Sequence, residues 1–441
     1  MYLKHPTVLL TDMDVKCLFE KILGSESLFE YDCGQGSVMY AFDCYSMPDR
    51  EVLVRFLSAA GAVYNYENKV DSLHLLTFLC DSGTVYVCYS ENEKLLRVVC
   101  DPNVNIPSQT PQPIRGECPV RLWQFEVDHS LIDCGMCYIV QLSDFRFFVV
   151  DSAHVYSVND DVRIYEFMRR RTPSDRPVRV AGWFFSHGHS DHVVKFLDIL
   201  KFNKDIVIEG LYYNIAPTDC YSACTWDESE IHHAEEFLEF TYGRADIPVY
   251  TLHAGQRFFI GNLEFCVLCT HEDVFPASLE NYNDSSTVIM MYAGEDSVCF
   301  PGDAGGEESR ILEKRFNTFL KCDIMQMAHH GHFGLSAEFY RRAAARAVLF
   351  PTTKIKYDEE FPRYEANRLA AAVAKHVFIA SDGTVEFTFP LKDSTVRLYP
   401  DETFENFDGI RALWGYDYSE DFKRDLQRRF DEHQTEKIFP F

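Results

Sequence analysis

One segment constrains this chain more than any other: Phe185-Ser186-His187-Gly188-His189-Ser190-Asp191-His192, which ends the apolar run Val178–Phe185. By composition that run is a buried strand, and it stops abruptly at three histidines and an aspartate. In extended backbone residues i and i+2 face the same way, so His187 and His189 can converge on one cation. Gly188 leaves room for a tight turn between them. Asp191 and His192 then open a helix, His192–Leu200, and point elsewhere, which suits a second cation. Imidazole and carboxylate are ligands of zinc, manganese and iron. A solvated loop has no reason to place such a cluster between a buried strand and an amphipathic helix, so the segment is read as a metal centre.

Further along, Asp303 lies in Phe300-Pro301-Gly302-Asp303, again where an apolar strand ends, and His329-His330-Gly331 follows a short apolar strand at Asp323–Met327. The HxHxDH, Gly-Asp and His-His-Gly set, in this order, resembles the signature of the metallo-β-lactamase superfamily. The resemblance runs from Asp151 to about Phe389. Val377-Phe378-Ile379-Ala380-Ser381-Asp382-Gly383-Thr384 is similar to the closing strand and turn of one branch, which includes the hydrolase domain of competence-type DNA-uptake channels and the phosphorylcholine esterases. The resemblance implies an α/β fold, an αββα sandwich, with two divalent metal ions. Zn2+ heads the expectation, with Mn2+ and Fe as the others. It makes Asp303 the bridging carboxylate, aligns His330 with the last histidine ligand, and gives Asp151 a supporting role. His329 is either a ligand or a neighbour of the site.

This chain departs from the pattern in two places. The family's third histidine belongs in a loop between the middle strands, and here the loop Thr270 to Ser286 offers His271, followed by Asn283, Asp284 and Ser285. His271 is either a ligand or a loop histidine near the site. The residue after His-His-Gly is His332 rather than the branch's serine; it either donates a proton to a leaving group or flanks the site. The candidate metal ligands are therefore His187, His189, Asp191, His192, His271, Asp303, His329 and His330, and the candidate catalytic residues are Asp191 and His332. The expected reaction is hydrolysis by a hydroxide shared between two metals, with a phosphodiester as first substrate class. Carboxylic esters, thioesters or lactams are the alternative within the fold, and a non-catalytic metal-binding module is the alternative outside it.

A chain of 441 residues exceeds one ordinary core. Residues 1–100 read as a small α/β unit, with helices at Asp12–Leu23 and Pro48–Ala60 and strands at Ser72–Cys80, Thr84–Tyr89 and Lys94–Cys100. Nothing in this unit concentrates catalytic residue types, and it is expected to fold by itself and supply no ligand. Residues 101–119, with five prolines, read as a linker. Residues 120–400 carry the hydrolase domain. Residues 401–441 read as a helical extension, because Phe422, Leu426 and Phe430 recur at helical spacing.

The 42 Lys+Arg against 68 Asp+Glu give a net charge of −26. That surface repels polyphosphate and anionic membranes, so the expected partner is a small molecule or short phosphoester, with no long nucleic acid and no membrane. Small anions remain acceptable because a metal cluster reverses the field locally. The 15 cysteines show no CxxC pair and no regular framework. With no signal-peptide pattern, they favour a reducing, cytoplasmic setting.

Overall fold

The computed structural model describes residues 12–114, 116–128, 132–157, 159–203, 205–218, 228–277, 279, 282–399 and 436–441. The helix Asp12–Leu23 is the one expected, and the second spans Arg50–Ala59, where the Asp49 side chain accepts from the Val52 amide (3.0 Å). Both lie on one face of a six-stranded antiparallel sheet ordered Phe29–Gly34, Ser37–Asp43, Leu95–Asp101, Gly83–Ser90, Leu73–Cys80, Val63–Val70. Val15, Phe19, Leu53 and Leu57 of the helices pack there on Phe42, Phe78, Val87 and Val98. Three of these strands go beyond the three expected. Val63–Val70 interleaves Tyr and Val with Asn, Glu and Lys because it is an edge strand with half its residues in water.

The rest of the chain forms two sheets stacked face to face. The first, of ten strands, runs Val249–Thr251, Leu211–Tyr213, Arg179–Phe184, Phe147–Val150, Tyr138–Gln141, Arg121–Gln124, Thr384–Thr388, Thr395–Tyr399, Lys437–Pro440, with Val207–Ile208 also pairing on Arg179–Phe184. The second, of seven, runs Arg257–Ile260, Leu263–Cys269, Val288–Ala293, Asp296–Phe300, Ile324–Gln326, Ala347–Phe350, His376–Ile379. Each sheet is part parallel and part antiparallel, and short strands such as Phe147–Val150 are buried along their whole length, as strands covered on both faces must be. Between the sheets, Phe148 meets Phe265 (ring centroids 4.5 Å apart) and Tyr138 meets Phe300 (5.3 Å). The helices Asp160–Arg170, Ser190–Phe202 and Glu228–Tyr242 cover the outer face of the first sheet. Gly306–Arg315, Ala337–Ala343 and Glu365–Val373 cover the second. The expected αββα sandwich is present. Among the described residues no helix is long and apolar enough to cross a membrane.

Two features of the connections were not legible beforehand. The proline-rich segment lies along the open edges of both sheets: Asn103 Nδ2 donates to Val249 O (2.9 Å), Phe259 N to Ser108 O (2.8 Å) and Gln112 N to Gly261 O (2.8 Å). It covers edges that would otherwise present unpaired backbone groups. At the C-terminus the helix expected around Phe422–Phe430 falls outside the described residues, but Lys437–Pro440 adds an edge strand and Phe441 packs against Phe387 (5.9 Å) in the inter-sheet core. A four-residue strand containing Pro440 carries almost no sequence signal, although an edge tolerates proline.

The N-terminal sheet turns its second face to the sandwich, and buried charges cross the boundary. Arg315 is 0% exposed and pairs with Glu93 (2.6 Å) and Asp273 (2.6 Å), while Arg97 reaches Asp273 at 3.5 Å. Burial opposes charge on Glu93, but Arg315 and Arg97 hold its carboxyl at about 2. Ser72 Oγ and Asn92 Nδ2 both donate to Arg315 O, at 2.7 and 2.8 Å. The N-terminal unit supplies no side chain to the cluster described below, yet it neutralises charges belonging to the sandwich. Removing one member of such a buried set strands its partners. Arg315→Ala is expected to cost about 3–5 kcal/mol, read from urea unfolding; a loss below about 1 kcal/mol would show that these charges are not coupled.

Candidate metal centre

The candidate ligands gather where strands of the two sheets end. Phe184 and Val150 are partners in the parallel ladder, so Asp151 emerges beside Phe185, at the carboxyl ends of the strands where open α/β sheets place their sites. Asp151 takes the left-handed conformation (φ 55°), unfavourable for a side chain and held by five hydrogen bonds. Its amide donates to Phe184 O (2.9 Å), its carbonyl accepts from Trp183 Nε1 (3.0 Å), and its carboxylate accepts from the Ser186 amide (2.9 Å) and hydroxyl (3.0 Å). The same carboxylate accepts from His192 Nδ1 at 2.9 Å. Asp151 thus orients a histidine and fixes the turn that precedes it. On the facing sheet, Gly302 at φ 59° brings Asp303 in: a Cβ there would sit 2.6 Å from Ser186 Cβ, so only glycine allows the two strand ends to approach.

Asp191, His192, Asp303 and His330 are all buried, and one ligand atom from each lies within 4.8 Å of the others. His330 Nε2 is 2.9 Å from Asp191 Oδ2 and 3.3 Å from Asp303 Oδ2; His192 Nε2 is 3.4 Å from an oxygen of each. None of these approaches is aligned as a hydrogen bond, and His192 Nε2, His330 Nε2 and Asp303 Oδ1 have no hydrogen-bond partner. The outer nitrogens are committed: His192 Nδ1 to Asp151, and His330 Nδ1 to the carbonyl of Pro351 (2.9 Å). A carbonyl only accepts, so His330 Nδ1 carries a proton and Nε2 is the nitrogen turned toward the cluster. Outward N–H with inward lone pair is the arrangement of metal-ligating histidines. The donor set therefore fits a divalent cation.

Beside it lies a second group. His187 Nε2 is 3.0 Å from His189 Nδ1 and 3.1 Å from Asn283 Oδ1, and Asn283 Nδ2 is 3.0 Å from His329 Nε2. His329 Nδ1 donates to Phe333 O (2.7 Å), which again turns the Nε2 lone pair inward. The His187 and His192 rings are 4.1 Å apart, so the two groups share a wall. Burial, then the neighbouring His192, pushes His187 well below the usual histidine range, and burial takes His189 to about 4. Both are neutral donors. His192 and His330 go the other way: burial opposes their charge, but Asp191 and Asp303 raise both, His330 to about 10. Two buried carboxylates at one point demand positive charge there.

His271 is directed away from this centre. Its Nε2 donates to Asn214 Oδ1 (2.8 Å) and its Nδ1 faces the Tyr31 hydroxyl (3.1 Å). It belongs to a separate polar chain through Asn214 and Glu272 to His253 and Asp101. The reason is local: Asp273 Oδ2 accepts from the Thr270 amide (2.9 Å), starting the short helix His271–Val274 and turning His271 toward the N-terminal sheet. The same loop delivers Asn283 instead. His332 stands outside both groups, its ring 5.3 Å from that of His329, and burial holds it at about 4. At neutral pH the ring is the neutral imidazole, not the imidazolium.

Two mixed sheets face to face, helices on both outer faces and a His/Asp cluster at the strand ends are the metallo-β-lactamase fold. No protein-family model and no curated protein matches the chain. Among solved structures it is similar to the metallo-β-lactamase fold protein YhfI from Bacillus subtilis, at 12% identity over 59% of this chain and 97% of that one (TM-score 0.38). It is also similar to CmlA, a diiron β-hydroxylase from Streptomyces venezuelae (13% identity, 75% of this chain and 55% of that one, TM-score 0.32). Human tRNase Z, short form, shows 8% identity over 53% of this chain and 94% of that one (TM-score 0.28).

Asp151 touches no cluster atom other than through His192 and the Ser186 turn. Asp151→Asn is therefore expected to weaken metal affinity by about 10–100-fold in competition with a fluorescent zinc chelator. Unchanged affinity would mean that the carboxylate does not orient the site.

Proposed function

We propose that this chain is a metal-dependent hydrolase acting on phosphoric esters, with a phosphodiester as the first substrate class and zinc as the first metal. The observation that carries the reading is the gathering of Asp191, His192, Asp303 and His330, all buried, in which His192 Nε2, His330 Nε2 and Asp303 Oδ1 have no hydrogen-bond partner. Asp191, His192 and His330 would hold one cation. His187, His189 and His329 would hold the other, with Asn283 beside them where the superfamily pattern has a histidine. Asp303 would serve both. When bound, such cations stabilise charge on the oxygen under attack and lower the pKa of water from about 15.7 to about 7.

The chain's own residues prepare that chemistry. Asp151 and the Pro351 carbonyl engage the outer nitrogens of His192 and His330, leaving Nε2 of each to face a cation, which would take the place of any inner proton. Burial keeps His187 and His189 neutral, so no proton competes at their side of the site. His332, a neutral imidazole at neutral pH, has one ring nitrogen free of a proton at the rim. The phosphoester preference rests on the similarity to the branch with phosphorylcholine esterases. The net charge of −26 favours small or short substrates and a cytoplasmic protein that binds neither long nucleic acid nor membrane.

Asp191→Asn keeps size and removes charge. Turnover of bis(p-nitrophenyl) phosphate should fall by more than the roughly hundredfold typical of losing an outer-sphere partner, with the protein still folded by thermal melt. Near wild-type turnover by the variant would contradict the mechanism. Wild-type cleavage of thioesters or lactams, without phosphodiesters, would keep the fold and replace the substrate class.

A further inference from the structure

The candidate centre is least buried at His329, and an exposed aromatic ring stands there. His187, His189, Asp191, His192, Asp303 and His330 are all buried, whereas His329 is only half-buried. Phe333 lies against it: the two rings meet edge-on, with centroids 4.9 Å apart and planes at 87°. Phe333 is 59% exposed, and among the described phenylalanines only Phe202, the last residue of its helix, is also exposed (47%). The turn that carries the ring is closely held. His329 Nδ1 donates to Phe333 O (2.7 Å), His332 N to His329 O (2.7 Å), and Asn367 Nδ2 to Gly331 O. A Cβ on Gly334 would fall 3.1 Å from Ala328 Cβ and 3.3 Å from Ala304 O. Backbone, His329 and Asn367 thus set the turn, and none of these contacts needs an aromatic side chain at position 333. Packing does not explain a large apolar ring kept in water beside a candidate metal ligand.

We propose that Phe333 is a specificity contact of this site, a face for a flat apolar group, above all an aromatic ring, carried by the phosphoester substrate. The inference rests on the reading of the site given above and adds the chemistry of the organic group. Position decides it. A substrate held at the group of His187, His189 and His329, and extending to solvent past His329, passes the Phe333 ring. Contact there removes apolar surface of both partners from water, and an aromatic group gains the further attraction of ring on ring. A small or strongly hydrated substituent gains little. The ring touches no reacting atom; it selects among substrates that share the same phosphoryl head.

Phenylphosphonate and methylphosphonate are the probes, because they share an anionic head and differ in the organic group alone. Titrated calorimetrically into zinc-loaded full-length protein, phenylphosphonate should bind about tenfold or more tighter. Phe333→Ala should abolish that difference by weakening phenylphosphonate alone, with methylphosphonate affinity and zinc content unchanged, and Phe333→Tyr should keep the preference. Equal binding of the two by wild type, or a preference that survives in Phe333→Ala, overturns the proposal and leaves the phosphoester reading intact. Parallel losses for both phosphonates in Phe333→Ala overturn it as well, because the ring would then be holding His329 and not touching substrate. No zinc uptake by wild type, or binding of neither phosphonate by the loaded protein, overturns the reading above and this inference with it.

Discussion

Two carboxylates, Asp191 and Asp303, are held within 3.3 Å of one imidazole nitrogen in the interior of the protein. Buried like charges persist only where positive charge shares the space, and the group joins these two carboxylates to two imidazoles, His192 and His330. His192 and His330 can meet part of the demand by holding protons, and burial opposes them in doing so. A divalent cation meets it without that conflict. Much of the surrounding structure serves to keep this arrangement from relaxing.

The constraint propagates outward. Asp151 and Ser186 lock His192 and the turn before His187; Gly302 lets Asp303 approach from the facing sheet; and Pro351 fixes His330. The sheets bring these strand ends together through the aromatic contacts of the inter-sheet core, Phe148 on Phe265 and Tyr138 on Phe300. The N-terminal sheet takes part at one remove. Tyr31 stacks on Phe275 at 4.3 Å and faces His271, and Arg97 pairs with Asp273, all in the loop that later delivers Asn283 to His187 and His329.

Legibility in the sequence followed the range of the interactions. The HxHxDH segment, the Gly-Asp pair and the His-His-Gly turn could be read because each is contiguous and each ends an apolar strand, so local pattern and tertiary position coincide. His271 could not be placed, because a capping interaction three residues long, between Thr270 and Asp273, decides where it points. Asn283 could be noted but not assigned, since its partners are 96 and 46 positions away. Edge strands such as Val63–Val70 and Lys437–Pro440 escaped because half-solvated or four-residue strands have little apolar periodicity. The buried charges joining the N-terminal unit to the sandwich, Glu93 to Arg315 across 222 positions, leave no local trace.

The central claim is that two cations occupy adjoining groups of ligands at the strand ends. The most direct measurement is an anomalous difference map from crystals of protein loaded with zinc, collected above and below the zinc edge. The account predicts two peaks, one among Asp191, His192, Asp303 and His330 and one among His187, His189 and His329, with none at His271. Loaded crystals with no peak at these residues, or with the peaks elsewhere on the molecule, would contradict it.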